Sequence, residues 1–448
     1  MSTVQNLQRT QTPAQRRRVL VVVALAFATI VLDGYDLMVF GAMVPALLEY
    51  PEWGLTPTRV GLIGSYTTFG MLVGALGVGF LTDILGRRRI VLACIAWFSL
   101  ATVATAMAST PEAFGLFRFL AGIGLGGVMP TAIALTVEYA PRGRQQLYNA
   151  MMFVGYSVGG VLAAVVAIAL LAEMGFRSLL WVGTAPALVL IPLVYFLLPE
   201  SMSYLARRGR LEEAQQLAEK YGADIEVPDV DSTKGGRATS AVSYLLSKGR
   251  RGPLMLFCVA SFMGLLLVYG LNTWLPAIMR SAGYPLGSSL SFLLALNLGA
   301  IVGTLAAAAV ADRIGSRIAI SLAFLAAAIT LVFLSLQPTA ALIYVFIALA
   351  GLGSIGTQIL VNGYAAAYFP AWARGSAVGM TLGIGRIGAV VAPTMVGLIM
   401  DSNLGFQWNF YAFVIPAVLG LVAIVLVPRR SETAVSSSPQ VARGSRTA

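Results

Sequence analysis

Asp33 and Asp36 stand three residues apart in an apolar run from Val19 to Leu48. A carboxylate at bilayer depth is costly and marks a functional site by default. At i and i+3 of a helix the two side chains share a face and can look into one cavity. Acids that share a desolvated site take up protons more readily than they would in water, so this pair could load and release a proton. The competing reading makes either one a structural acceptor for a neighbouring helix. Gly34 between them lets another backbone come close, and Tyr35 faces the cavity or packs outward.

Arg386 is the candidate for holding an anion. Counted from Arg374 at about 1.5 Å per residue, it lies about 18 Å into its span, near the middle of the hydrocarbon. A guanidinium grips a carboxylate through two parallel hydrogen bonds, and Gly383, Gly385 and Gly388 leave room beside it. An ion pair with Asp33 or Asp36 that only fixes packing is the alternative. Arg118 lies at a depth similar to that of Asp36, so a pair between them is expected, either as a protonation-dependent switch or as a permanent bridge. Tyr156, Tyr269, Trp274, Tyr364 and Tyr411 could stack on a ring. Asn272, Asn297, Gln358 and Asn362 could line the same cavity or bridge helices.

These residues need twelve membrane helices to position them. The 448 residues are 58% hydrophobic and only 11% charged, far from a soluble chain. Apolar runs of spanning length fall at 19–48, 59–82, 90–109, 112–137, 146–171, 178–198, 253–279, 287–311, 318–336, 340–366, 375–400 and 408–427. They are too long and too evenly apolar for barrel strands, and lipid leaves the backbone no other partner than itself, so they are helices. The pairs Gly70 and Gly74, Gly155 and Gly159, and Gly299 and Gly303 are small residues four apart that let such helices pack closely.

Of the 30 Lys and Arg residues, only Arg59, Arg177 and Arg280 fall in loops on the side away from both termini, while Arg118 and Arg386 lie within spans. That asymmetry predicts cytoplasmic termini in a multi-pass inner-membrane protein. The net charge of +11 therefore belongs to the inner surface, where anionic lipid attracts it, and gives no reason to invoke nucleic acid. Arg16–Arg18 before an apolar run resembles a signal peptide, but cleavage would leave an odd number of spans against the charge bias. Cys94 and Cys258 read as small buried hydrophobes. With no His and no phosphate-binding loop or catalytic constellation, neither a metal nor a cofactor nor an enzymatic activity is expected.

The chain divides into a cytoplasmic segment 1–18, a six-helix bundle 19–198, a polar linker 199–252, a second bundle 253–427 and a tail 428–448 expected to be disordered. Within the linker, Leu211, Ala214, Leu217, Ala218 and Tyr221 recur at helical spacing, and Pro228, Gly235 and Gly236 mark a soft stretch. A shift of 229 residues lays Asp83 on Asp312, Pro141 on Pro370 and Gly159 on Gly388, which argues for duplicated units. The same shift puts Arg386 over Ser157, so Arg386 breaks the symmetry.

The loop Gly79, Leu81, Asp83, Gly86, Arg87, Arg88, Arg89 resembles the one between the second and third helices of the major facilitator superfamily, with a decayed copy at Asp312, Arg313, Gly315 and Arg317. Arg118, Phe119, Leu120, Gly122, Gly124, Gly126 and Gly127 resemble its fourth-helix signature, and Pro199, Glu200, Ser201 with Leu205 its motif after the sixth. Asp33, Gly34, Tyr35, Asp36 resemble the paired-aspartate motif of the aromatic acid:proton symporters. The resemblance implies a monomeric all-α carrier of two pseudo-symmetric six-helix bundles, importing a benzoate-like or hydroxybenzoate-like carboxylate with protons. Asp33, Asp36 and Glu138 would then serve proton coupling, and Arg386, Arg118, Tyr35, Tyr156, Asn272, Trp274 and Gln358 the substrate. Asp83, Arg87, Arg88, Asp312 and Arg317 would lock the inner mouth. An exporter of the same superfamily is the runner-up, and a carrier-like receptor for aromatic acids is a third possibility.

Overall fold

In the computed structural model the described residues are 12–141, 144–223, 236–402 and 404–428. The Asp83 side chain, Arg142, the linker stretch 224–235 and the tail from 429 lie outside them. Among the described residues, twelve helices are long and apolar enough to cross a membrane. The first five are α1 (Pro13–Leu48), α2 (Pro57–Leu85), α3 (Arg87–Met107), α4 (Pro111–Tyr139) and α5 (Gln145–Met174). The sixth is broken at Pro186 into α6 (Phe176–Thr184) and α7 (Ala187–Leu197). Short helices α8 (Met202–Arg207), α9 (Leu211–Tyr221) and α10 (Gly236–Leu246) form the linker. The second half holds α11 (Arg251–Ser281), α12 (Leu286–Ile314), α13 (Ser316–Ser335), α14 (Ala340–Gly351) joined by a π-helical turn to α15 (Thr357–Tyr368), α16 (Ala371–Asp401) and α17 (Trp408–Leu426).

The sequence places α1 six residues too late. Thr12 caps the helix, its hydroxyl accepting from the Gln15 amide while the Gln15 side chain accepts from the Thr12 amide. This capping box carries the helix out past the apolar run. The breaks at Pro186 and in the tenth span were not anticipated either. Proline explains the first, since it gives no amide to the ladder.

Close helix packing uses the small residues. A Cβ on Gly74 would lie 2.0 Å from the Ile123 carbonyl oxygen, and one on Gly34 would lie 2.2 Å from that of Tyr156. These separations are far below van der Waals contact, so α2 seats on α4 and α1 on α5 only because no side chain intervenes.

The two halves meet through α2 and α16, α5 and α12, and α1 and α11. Their contacts cluster away from the linker. Gly41 packs on Asn272, Gly61 on Pro393, and Gly160 on Asn297. Ser65 Oγ donates to the Val390 carbonyl at 2.6 Å and lies 2.7 Å from Thr394 Oγ1; Thr58 Oγ1 donates to Asp401 at 2.6 Å; Arg280 pairs with Glu49 at 2.9 Å. On the linker side, Gly375, Gly379 and Gly383 of α16 face open space. The described contacts between the halves thus hold them together at the end away from the linker, and α16 is free of close neighbours at these glycines on the linker side.

Candidate substrate and proton site

Asp36 points into the first half and is fully engaged there. Arg118 Nη1 donates to its Oδ2 at 2.7 Å, and Nη2 donates to its carbonyl at 3.2 Å. Arg118 Nε donates to Thr67 Oγ1 at 3.1 Å. Thr102 Oγ1 lies 3.0 Å from Asp36 Oδ1 and 2.8 Å from the Phe98 carbonyl, so its one proton serves two acceptors. The guanidinium also lies over the Phe40 ring at 5.4 Å. With Arg118 only 1% exposed, this is a desolvated ion pair whose remaining lone pairs and protons are largely satisfied. The expected Asp36–Arg118 pair is present.

Asp33, one turn earlier, is different in kind. It is 0% exposed, and neither carboxylate oxygen has a hydrogen-bond partner. The charges acting on it are those of Arg386, from α16 of the other half, and of Asp36. Tyr156 of α5 and Tyr269 of α11 share the field of Arg386 and Asp33. Arg386 itself is half-buried and, among the described residues, makes no ion pair or hydrogen bond. Four helices from both halves thus bring an unpaired acid, an uncommitted guanidinium and two phenols to mid-span depth. An ionised carboxylate left unpartnered in such a place is costly. Two changes relieve that cost: taking a proton, or closing on Arg386.

Other expected members stand elsewhere. The Tyr35 hydroxyl donates to the Leu179 carbonyl at 2.8 Å and its ring covers Gly183, so it packs against the sixth span rather than the cavity. Trp274, 0% exposed, donates through Nε1 to the Pro393 carbonyl at 2.8 Å and is sealed between α11 and α16. Asn272 donates to the Val268 carbonyl at 2.8 Å and accepts from Asn297 at 3.1 Å. Gln358 donates to Ser261 Oγ at 2.9 Å, and that hydroxyl packs against Gly385 of α16. In each case a polar group inside a helix bundle has found a helix-bridging partner, as burial requires.

Glu138 is not at the cavity either. At the linker end of α4 it accepts from Arg87 Nη1 at 2.5 Å, from Ser201 Oγ at 2.8 Å, and from the Ser203 amide at 2.6 Å and hydroxyl at 3.0 Å. Glu200 accepts from the Arg88 amide at 3.0 Å and the Ser201 amide at 2.9 Å, capping α3. That close approach uses Gly86, at φ +91°, where a Cβ would lie 2.6 Å from the Glu200 carboxylate. Arg88 donates to the Tyr195 carbonyl, Arg317 to that of Val425, and Asp312 is exposed. The described rim bonds of Arg87, Arg88 and Arg317 all stay within one half, as an open mouth requires. Thr67, Thr102, Ser203 and the orienting role of Glu200 were not foreseen, because single hydroxyls in apolar spans carry no spacing signal.

Two bundles with twelve spanning helices among the described residues, and ionisable side chains buried between them, have the architecture of a multi-pass membrane transport protein, and the named relatives of this chain are transporters rather than enzymes. The family model for the Major Facilitator Superfamily matches residues 26–317 and 291–447. The chain is 37% identical over 419 residues to a benzoate transport protein of Acinetobacter baylyi, covering 91% of this chain and 89% of that one. It is 36% identical over 419 residues to a gentisate transporter of Corynebacterium glutamicum, covering 93% and 89%. Its fold is similar to that of the xylose transporter XylE from E. coli, with a TM-score of 0.73 at 16% identity over 92% of this chain and 97% of that one. The chain belongs to the major facilitator superfamily, in its aromatic acid:proton symporter family.

Proposed function

We propose that this protein imports an aromatic carboxylate together with protons by alternating access, as a monomer in the cytoplasmic membrane with both termini inside. The observation that carries the reading is the unpartnered Asp33 carboxylate facing Arg386 across the two halves. In this scheme Arg386 binds the substrate carboxylate, and Tyr156 and Tyr269 flank the ring. Asp33 takes a proton when substrate occupies Arg386. Once substrate leaves to the inside, Asp33 loses its proton and is drawn to Arg386. The Asp36–Arg118 pair holds α1 on α4 and can exchange its charge for a proton during the cycle. Glu138, with both oxygens bonded, anchors the linker to the first half, and Arg87 is its partner.

Uptake of a panel of labelled benzoates and hydroxybenzoates into proteoliposomes, with and without an inward proton gradient, tests the reading. Accumulation above the external level only with the gradient is expected. Gradient-accelerated efflux instead would establish the exporter reading, and binding without flux the receptor reading.

A further inference from the structure

Where α3 begins and α7 ends, α8 and α9 wall off a cleft of about 660 Å³ at the linker end, separate from the central cavity. Arg88, Arg89, Arg210 and Lys220 line it, against two acids, Glu200 and Glu213. Both acids are already engaged. Glu200 accepts two backbone amides, and Glu213 accepts from Arg210 at 2.7 and 2.5 Å; the Arg210 hydrogen bonds hold the Glu213 carboxyl below its usual range. Arg88 spends a donor on a neutral carbonyl. Arg89 and Lys220 are exposed and, among the described residues, their side chains have no ion pair.

The remaining wall is apolar. Leu92, Phe196 and Leu197 line it. Phe196 is 76% exposed, and Leu188 and Val189 continue that bare apolar surface along α7 into the span. A soluble anion would satisfy the cations and leave this wall bare. An anionic lipid uses both, because the cleft sits where spans end and polar linker begins. We propose that this cleft seats the phosphate headgroup of an anionic phospholipid from the surrounding leaflet, with its acyl chains along α7. Bound there, the lipid ties the linker helices to the first bundle. The proposal is independent of what the central cavity carries.

Native mass spectrometry of the full-length protein in detergent, titrated with phosphatidylglycerol, phosphatidylcholine or inorganic phosphate, tests it. Saturable retention of phosphatidylglycerol is expected. Arg89→Gln with Lys220→Gln should weaken it about 30-fold, from about fivefold per cation near an anionic lipid. The exposed pair Arg59→Gln with Arg280→Gln, at the opposite end, should leave it unchanged. Equal retention of phosphatidylcholine, displacement by inorganic phosphate at matched concentration, or undiminished binding by the cleft variant would overturn the proposal. Should that variant not fold, photoreactive phosphatidylglycerol on the wild-type protein decides: labelling of α7 and α9 supports the site, and labelling confined to other helices rejects it.

Discussion

Two carboxylates one turn apart on α1 experience opposite surroundings, and their variants should differ accordingly. Asp36 answers a buried guanidinium at 2.7 Å, so Asp36→Asn strands Arg118 without a counter-charge. Removing one partner of a buried pair costs about 3–5 kcal/mol, and a lower melting temperature together with lost accumulation is expected. Asp33 has no such partner. Asp33→Asn should therefore fold as well as the wild type or better, and a thermal-shift assay in detergent separates the two cases. At Arg386, truncation to Ala removes charge-assisted hydrogen bonds to the substrate carboxylate. At about 1.5–3 kcal/mol for such bonds, binding should weaken about 10- to 150-fold in a labelled-acid binding assay. Unchanged affinity would remove Arg386 from the site.

At the scale of elements, glycine decides which helices can touch. A Cβ on Gly126 of α4 would lie 2.1 Å from the Met71 carbonyl oxygen, a backbone atom that no rotamer change can move. Gly126→Leu is therefore expected to abolish folded protein in size-exclusion profiles, whereas Gly77→Ala, facing open space, should leave them intact. Helix packing of this kind was legible in the sequence because small residues four apart leave a period to read. So was the Asp36–Arg118 pair, since depth can be counted along a helix. The cavity membership of Tyr35, Trp274 and Asn272 was not legible. Residue type gives the chemistry, but the face a side chain presents depends on helix rotation, and that is fixed by neighbours far away in sequence. Glu138 illustrates the same limit: its partners Ser201 and Ser203 lie beyond two further spans.

For the whole molecule, closure of the end away from the linker rests on packing rather than on charge. Glu49 and Arg280 are 55% and 42% exposed, and a surface ion pair contributes only about 0–1 kcal/mol. Arg280→Gln should change uptake little. Gly41 is the stronger determinant, because a Cβ there would lie 1.9 Å from the Asn272 carbonyl oxygen. Gly41→Val should hold the halves apart at that end, slowing uptake and raising the labelling of cysteines placed near Gly61 by a membrane-impermeant thiol reagent. The central claim is that Asp33 couples the proton to this rocking while Arg386 holds the substrate. It is tested most directly by assaying Asp33→Asn in proteoliposomes for both counterflow exchange of labelled aromatic acid and proton-driven accumulation. Exchange retained with accumulation lost is the expected result; accumulation at the wild-type level would contradict the account.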